Sequence, residues 1–267
     1  MSAGGAGGEA KGGLPPNTVI GIGAAGGLIG IYLAHFLPAA FSFFGGIAAI
    51  CAIVWGADAV RRVASYGLGT GVPSIGMISL GMGIVTALFG LSIGGVAGPI
   101  VSFIAAAVIG AIIGVLANKV IGMGIPIMER AMVEIAGAGT LAIIGLSTVI
   151  AGTFEYGAVL DNVVSTGFIA MIFIAGGMGI LHPFNANLGP DEKQDRTLIL
   201  GVEKGALAMI IAGLASSINE GLGPAFVTIL VGLAIWYVAF NKYFGFVKRD
   251  AYAVVGTGLL PSEEELQ

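Results

Sequence analysis

The densest polar stretch of this chain runs His182-Pro183-Phe184-Asn185-Ala186-Asn187-Leu188-Gly189-Pro190-Asp191-Glu192-Lys193-Gln194-Asp195-Arg196-Thr197. Oxygens from Asn185, Asn187, Asp191, Glu192 and Asp195 are the type of donor that a hard cation takes, and the same groups suit a docking partner. The alternative is a structured loop with a solvated charge cluster. Two prolines and a glycine stiffen the turn, and Pro190 ahead of Asp191 and Glu192 reads as the acidic first turn of a helix. A little further on, Glu203 and Lys204 stand inside an apolar run, where ionisable groups are costly and are functional candidates by default. Neighbours on a helix diverge by about 100°, so each is expected to pair elsewhere or to snorkel. Glu203 is a candidate to hold a sodium ion, against the plainer reading of an interfacial charge with a partner on another helix. Asp58 with Arg61 and Arg62, and Glu129 with Arg130 and Glu134, have the spacing of local ion pairs that anchor helix ends.

Several chemistries lack their parts. Two histidines, His35 and His182, and a single Cys51 make a His/Cys zinc site improbable. Cys51 has no nearby histidine to activate it and reads as a small buried hydrophobe. Gly67-Leu68-Gly69-Thr70-Gly71 looks like a phosphate cradle but lacks the preceding strand and the following lysine. No catalytic residue can be named.

The elements that must position these groups follow from composition. Of 267 residues, 57% are apolar and 10% charged, and the mean hydropathy is +1.00, which excludes an ordinary soluble domain. A net charge of -4 offers no basic face for nucleic acid. The 47 glycines are scattered through apolar stretches and read as packing residues. Eight apolar runs reach the length needed to cross a bilayer, near 18–37, 39–57, 72–91, 97–117, 135–153, 163–181, 198–217 and 224–244. Leu37-Pro38-Ala39 between the first two suits a tight hairpin, with a single broken element as the alternative.

Links after even-numbered runs hold Arg61 and Arg62, Lys119 and Arg130, Lys193 and Arg196, then Lys242, Lys248 and Arg249; links after odd-numbered runs hold none. With Lys11, ten of the eleven basic residues share one side, and Lys204 lies near it. The positive-inside rule makes that side cytoplasmic. The expected fold is therefore an all-α, multi-pass bundle of eight transmembrane helices with both termini inside. Residues 1–17 form a cytoplasmic tail, 18–244 one membrane domain and 245–267 a second tail. A proline soon after basic residues recurs in the cytoplasmic segments, and Gly69 to Ser74 resembles Gly256 to Ser262, so repeated hairpins are a weak further expectation.

The segment His182 to Leu198, with Gly177-Met178-Gly179-Ile180 before it and Gly201-Val202-Glu203-Lys204-Gly205 after it, resembles the C subunit of the archaeal tetrahydromethanopterin S-methyltransferase. The likeness extends to Gly21-Ile22-Gly23-Ala24-Ala25-Gly26-Gly27-Leu28-Ile29-Gly30-Ile31-Tyr32 and to overall length. It implies a cell-membrane complex of methanogenesis that moves a methyl group from methyl-tetrahydromethanopterin to coenzyme M through a corrinoid carried on another subunit, and exports sodium ions. It further implies polytopic D and E subunits as partners, a corrinoid-carrying A subunit, and no cofactor held by this chain alone. A site for the sulfonate of coenzyme M, or a docking face, needs a cation such as Arg61, Arg62, Arg130 or Arg196. A sodium path would draw on Glu203, Asp191, Glu192, Asp195, Asn185 and Asn187. The competing functions are a stand-alone secondary transporter and a purely structural membrane subunit.

Overall fold

A computed structural model describes residues 13–66, 71–186 and 193–254, and these are helical with no strand among them. The elements are α1 (Pro16–Phe36), α2 (Phe43–Ala64), α3 (Gly71–Gly94), α4 (Gly98–Val115), α5 (Met128–Ala151), the one-turn α6 (Tyr156–Val159), α7 (Phe168–Ala186), α8 (Gln194–Glu220) and α9 (Leu222–Val254). Seven stretches are long and apolar enough to cross a membrane, and one of them, Ser74–Val120, is 47 residues long. That stretch is two crossings. The chain turns at Gly95, whose φ of +50° is left-handed and suits a residue without Cβ, and Gly90 of α3 then lies directly on the backbone of Ser102 in α4. The eight expected spans are thus α1 to α5 and α7 to α9. Leu37 and Pro38 do separate two helices, because α1 and α2 pack face to face, with Gly30 against Phe44 and Ala48.

The bundle is built around α5. Within its apolar window 94% of the residues are buried, against 22% for α9 and 28% for the α3–α4 stretch, which places α5 at the centre and those helices at the rim. A helix apolar on every side belongs in such a position. Small residues let its neighbours close in, since helices in lipid gain from packing rather than from escaping water. Gly145 meets Gly45 of α2, Gly139 meets Leu80 of α3, and Gly110 and Gly114 of α4 meet the α5 backbone at Met132 and Glu129. Helix α8 lies against α2, where Gly205 faces Ile50, and α9 covers α8, where Gly232 faces Ile210.

Three expected boundaries move. Helix α5 begins at Met128, so Glu129, Arg130 and Glu134 belong to its first two turns instead of preceding it. Asn118 explains that early start: its side-chain oxygen accepts from the Ile125 N–H at 2.8 Å and its amide donates to Glu129 at 3.3 Å, fixing the connection ahead of α5. His182 to Ala186 continue α7, with Pro183 inside the helix, and α8 starts at Gln194, so the expected 182–197 loop is much shorter. Helix α9 runs on to Val254, ten residues past the expected end of the last span. Asn187, Asp191 and Glu192, together with Lys11, Gly67 to Thr70 and Gly256 to Ser262, lie outside the described residues.

Candidate functional site: the charged end of the bundle

Four helices bring their termini together at one end of the molecule. Asp58, in the last two turns of α2, is fully buried. It accepts from Arg61 Nε at 3.1 Å and Nη2 at 2.9 Å, from Arg62 Nε at 2.9 Å, and from Gln194 Nε2 of α8 at 3.1 Å. Spacings of three and four residues put both arginines on its own face, and basic groups suit the negative end of a helix dipole. Glu134 of α5, also buried, accepts from Trp55 Nε1 at 2.9 Å, from Arg130 Nε at 2.9 Å and from both terminal nitrogens of Arg62. Arg62 therefore bridges two carboxylates on different helices.

The network reaches the start of the chain as well. Gln194 holds the Leu14 backbone at two points, accepting its N–H at 2.6 Å and donating to its carbonyl at 3.0 Å. A Cβ on Gly13 would stand 2.5 Å from the Gln194 amide oxygen, so a side chain there would push that amide off its present bonds. Arg130 Nη2 donates to Asn17 at 3.0 Å. Such a site suits a buried charge cluster because each carboxylate is surrounded by donors, which offsets the cost of taking it out of water.

Its charge does not cancel. Three guanidiniums, Arg61, Arg62 and Arg130, face two carboxylates. Arg61 and Arg62 are 18% and 12% exposed, but Arg130 is 53% exposed, so the surplus positive charge is presented at the surface by Arg130. Arg196 is not joined to them; it pairs with Asp250 of α9 at 2.5 Å.

A second group lies along α7, α8 and α9. Lys204 Nζ donates to Glu203 at 2.9 Å, so the expectation that these neighbours look elsewhere is corrected. The lysine stem is long enough to curl back across the 100° between them, and a buried carboxylate 4% exposed rewards it for doing so. His182 sits in the field of both groups, and Tyr243 in that of Arg196, Glu203 and Asp250. Asp195 accepts the Arg196 backbone N–H at 2.9 Å and, like Asn185, is exposed. Among the described residues no three His, Cys, Asp or Glu side chains converge on a metal site.

The opposite end is closed by neutral contacts. His35 Nδ1 bonds to Thr153 at 2.7 Å and the ring stacks on Phe154 at 4.0 Å. Tyr32 donates to the Val96 carbonyl at 2.8 Å. Mid-depth polar groups such as Thr86 and Thr140, 2.8 Å apart, are neutral and bonded to each other.

Sequence reasoning found the local pairs of Asp58 and Glu134 with arginines but missed the cross-helix partners Trp55 and Gln194 and the reach of Arg62 to Glu134. Trp55, seven residues before Arg62, lies on the same helical face, and that spacing carried a signal. Gln194 carried none, since its partners Leu14 and Asp58 are remote in the chain.

Comparison with known proteins gives these groups a context. The family model for the C subunit of tetrahydromethanopterin S-methyltransferase matches residues 1–264. The C-subunit protein of Methanosarcina acetivorans is 78% identical over 267 residues, covering 100% of both chains. That of Methanothermobacter thermautotrophicus is 45% identical over 97% of this chain and 98% of its own, and that of Methanopyrus kandleri 48% over 82% and 80%. A match of this extent, on an all-helical bundle of the expected span number, means that the chain belongs to the C-subunit family of tetrahydromethanopterin S-methyltransferase.

Proposed function

We propose that this chain is a membrane subunit of a sodium-translocating complex that moves a methyl group from methyl-tetrahydromethanopterin to coenzyme M, with the corrinoid on another subunit, and with polytopic D and E subunits beside it. In this reading the charged end faces the cytoplasm of the cell and receives the soluble components. The observation that carries it is the surplus guanidinium at Arg130, exposed beside a buried and otherwise satisfied network. A sulfonate is a weakly basic, multi-oxygen anion that a guanidinium fork engages well. All four arginines have partners, Arg130 with Glu134 and Asn17 among them, but Arg130 alone of the four is more than half exposed and so presents its guanidinium to a ligand.

Replacing Arg130 with alanine in the assembled complex is expected to raise KM for coenzyme M about tenfold, the loss of one charge-assisted hydrogen bond, with kcat little changed. An unaltered KM would move the sulfonate site elsewhere.

Glu203 is the carboxylate we assign to the sodium path. It is buried at the charged end of α8 and already holds a cation, the Lys204 ammonium, at 2.9 Å. Sodium would compete with Lys204 for that oxygen, and the displaced lysine would swing to solvent. Glu203→Gln is expected to lower the sodium dependence of methyl transfer while leaving the complex assembled. Unchanged sodium coupling would favour the structural reading, in which Lys204 merely neutralises a buried acid. Asp195 and Asn185, both exposed, are assigned to the entrance rather than to the path.

A further inference from the structure

Helix α9 is the least buried of the spans, and between it and α8 lies an apolar groove of about 420 Å³. Ile199, Val202, Ala234, Ile235 and Val238 line it, and Lys242 closes one end. The cations of α9 differ in what they engage. Lys248 lies over the Phe244 ring at 4.8 Å and Arg249 over Phe246 at 5.2 Å. Lys242 is exposed, and among the described residues no carboxylate pairs with it.

Depth locates that charge. From Leu222, where α9 begins, twenty residues at 1.5 Å each reach Lys242 after about 30 Å, the thickness of the hydrocarbon core. Trp236, Tyr237 and Tyr243 flank it, residue types that gather at the membrane boundary. The groove itself, from Ala234 to Lys242, extends about 12 Å from headgroup level into the apolar core.

We propose that this groove holds one hydrocarbon chain of an anionic membrane phospholipid, whose phosphate is met by Lys242. The apolar walls exclude a polar ligand, and a cation at headgroup depth with no carboxylate partner among the described residues matches an anionic phosphate. Basic positions between transmembrane helices bind such headgroups on the same physical grounds. A bound chain would fill the seam between α8 and α9 and so support the helix that carries Asp250 against Arg196. The inference does not depend on the proposed roles of Arg130 or Glu203.

The test uses the assembled complex, stripped of loosely held lipid in detergent and returned to phosphatidylcholine vesicles doped with photoactivatable phosphatidylglycerol. Labelling is expected within residues 194–254. Lys242→Gln should lower it about fivefold, the weight of one lysine at a membrane surface. Ala234→Phe, at an exposed position where a larger ring is tolerated, should abolish it by filling the groove. A photoactivatable phosphatidylcholine probe should label the native groove no better than Lys242→Gln is labelled by the anionic one. Equal labelling of native and Lys242→Gln protein would overturn the proposal. So would disulfide capture of Ala234→Cys by a cysteine introduced into another subunit, because a protein helix would then occupy the seam.

Discussion

Asp58→Ala is expected to destabilise the folded chain by about 3–5 kcal/mol, the range for removing one partner of a buried ion pair. The carboxylate is fully buried and receives four hydrogen bonds from three side chains. Its loss strands the Arg61 fork, leaves Arg62 with Glu134 alone, and frees the Gln194 amide that fixes α8 to α2. Because Gln194 also holds Leu14 at two points, the effect should spread to the start of α1. Two measurements check this. The thermal midpoint of the purified protein should fall sharply, and a protease should cut near Leu14 earlier than in the native chain. Asp58→Asn keeps the shape and one acceptor oxygen, so it should fall between native and alanine. A double-mutant cycle of Asp58→Ala with Gln194→Ala should show coupling of about 1 kcal/mol, since a hydrogen bond to a charged group is lost once, not twice. A loss below about 1 kcal/mol for Asp58→Ala would mean that the cluster sets orientation in the membrane and contributes little to cohesion.

The pairs within that cluster were legible because helical spacing alone determines them: Asp58 with Arg61 and Arg62, and Arg130 with Glu134, need only a continuous helix. The span number was legible for a similar reason, since bilayer thickness sets segment length. What escaped depends on three-dimensional choices that periodicity does not encode. Arg62 could have turned to Asp58 only, yet it reaches Glu134 because α2 and α5 touch along their whole length. Lys204 could have snorkelled, yet its flexible stem closes on the adjacent Glu203. The central place of α5 was hidden because lipid and protein interior are equally apolar to a hydropathy scale. The α3–α4 stretch is the more apolar of the two, yet 28% of its window is buried against 94% for α5. Residue size does not separate them either, since glycine and alanine make up about a third of both stretches.

That central packing supplies the second large effect. A Cβ on Gly145 would stand 2.6 Å from the Gly45 carbonyl oxygen, and one on Gly45 would stand 2.7 Å from the Gly145 carbonyl oxygen. The contact is reciprocal and backbone on both sides, so no side chain can move away to relieve it. Gly145→Val forces α2 and α5 apart, and overpacking of this kind costs about 1–3 kcal/mol, with the upper end expected where both sides of the contact are backbone. Separation has a further consequence at the charged end. Trp55 and Arg62 ride on α2 while Glu134 rides on α5, so the bonds that join them lengthen together and a buried carboxylate loses donors. The variant is therefore expected to accumulate poorly in membranes and to melt well below the native protein, with Trp55 fluorescence shifted by the loss of its hydrogen bond. Gly245→Ala is the control, because no heavy atom lies within 4 Å of the added methyl and alanine is the better helix former by about 1 kcal/mol. It should be neutral or slightly stabilising. If Gly145→Val melted with Gly245→Ala, the two helices would have to separate without cost, and the close approach of α2 to α5 could not be what holds the charged end in register.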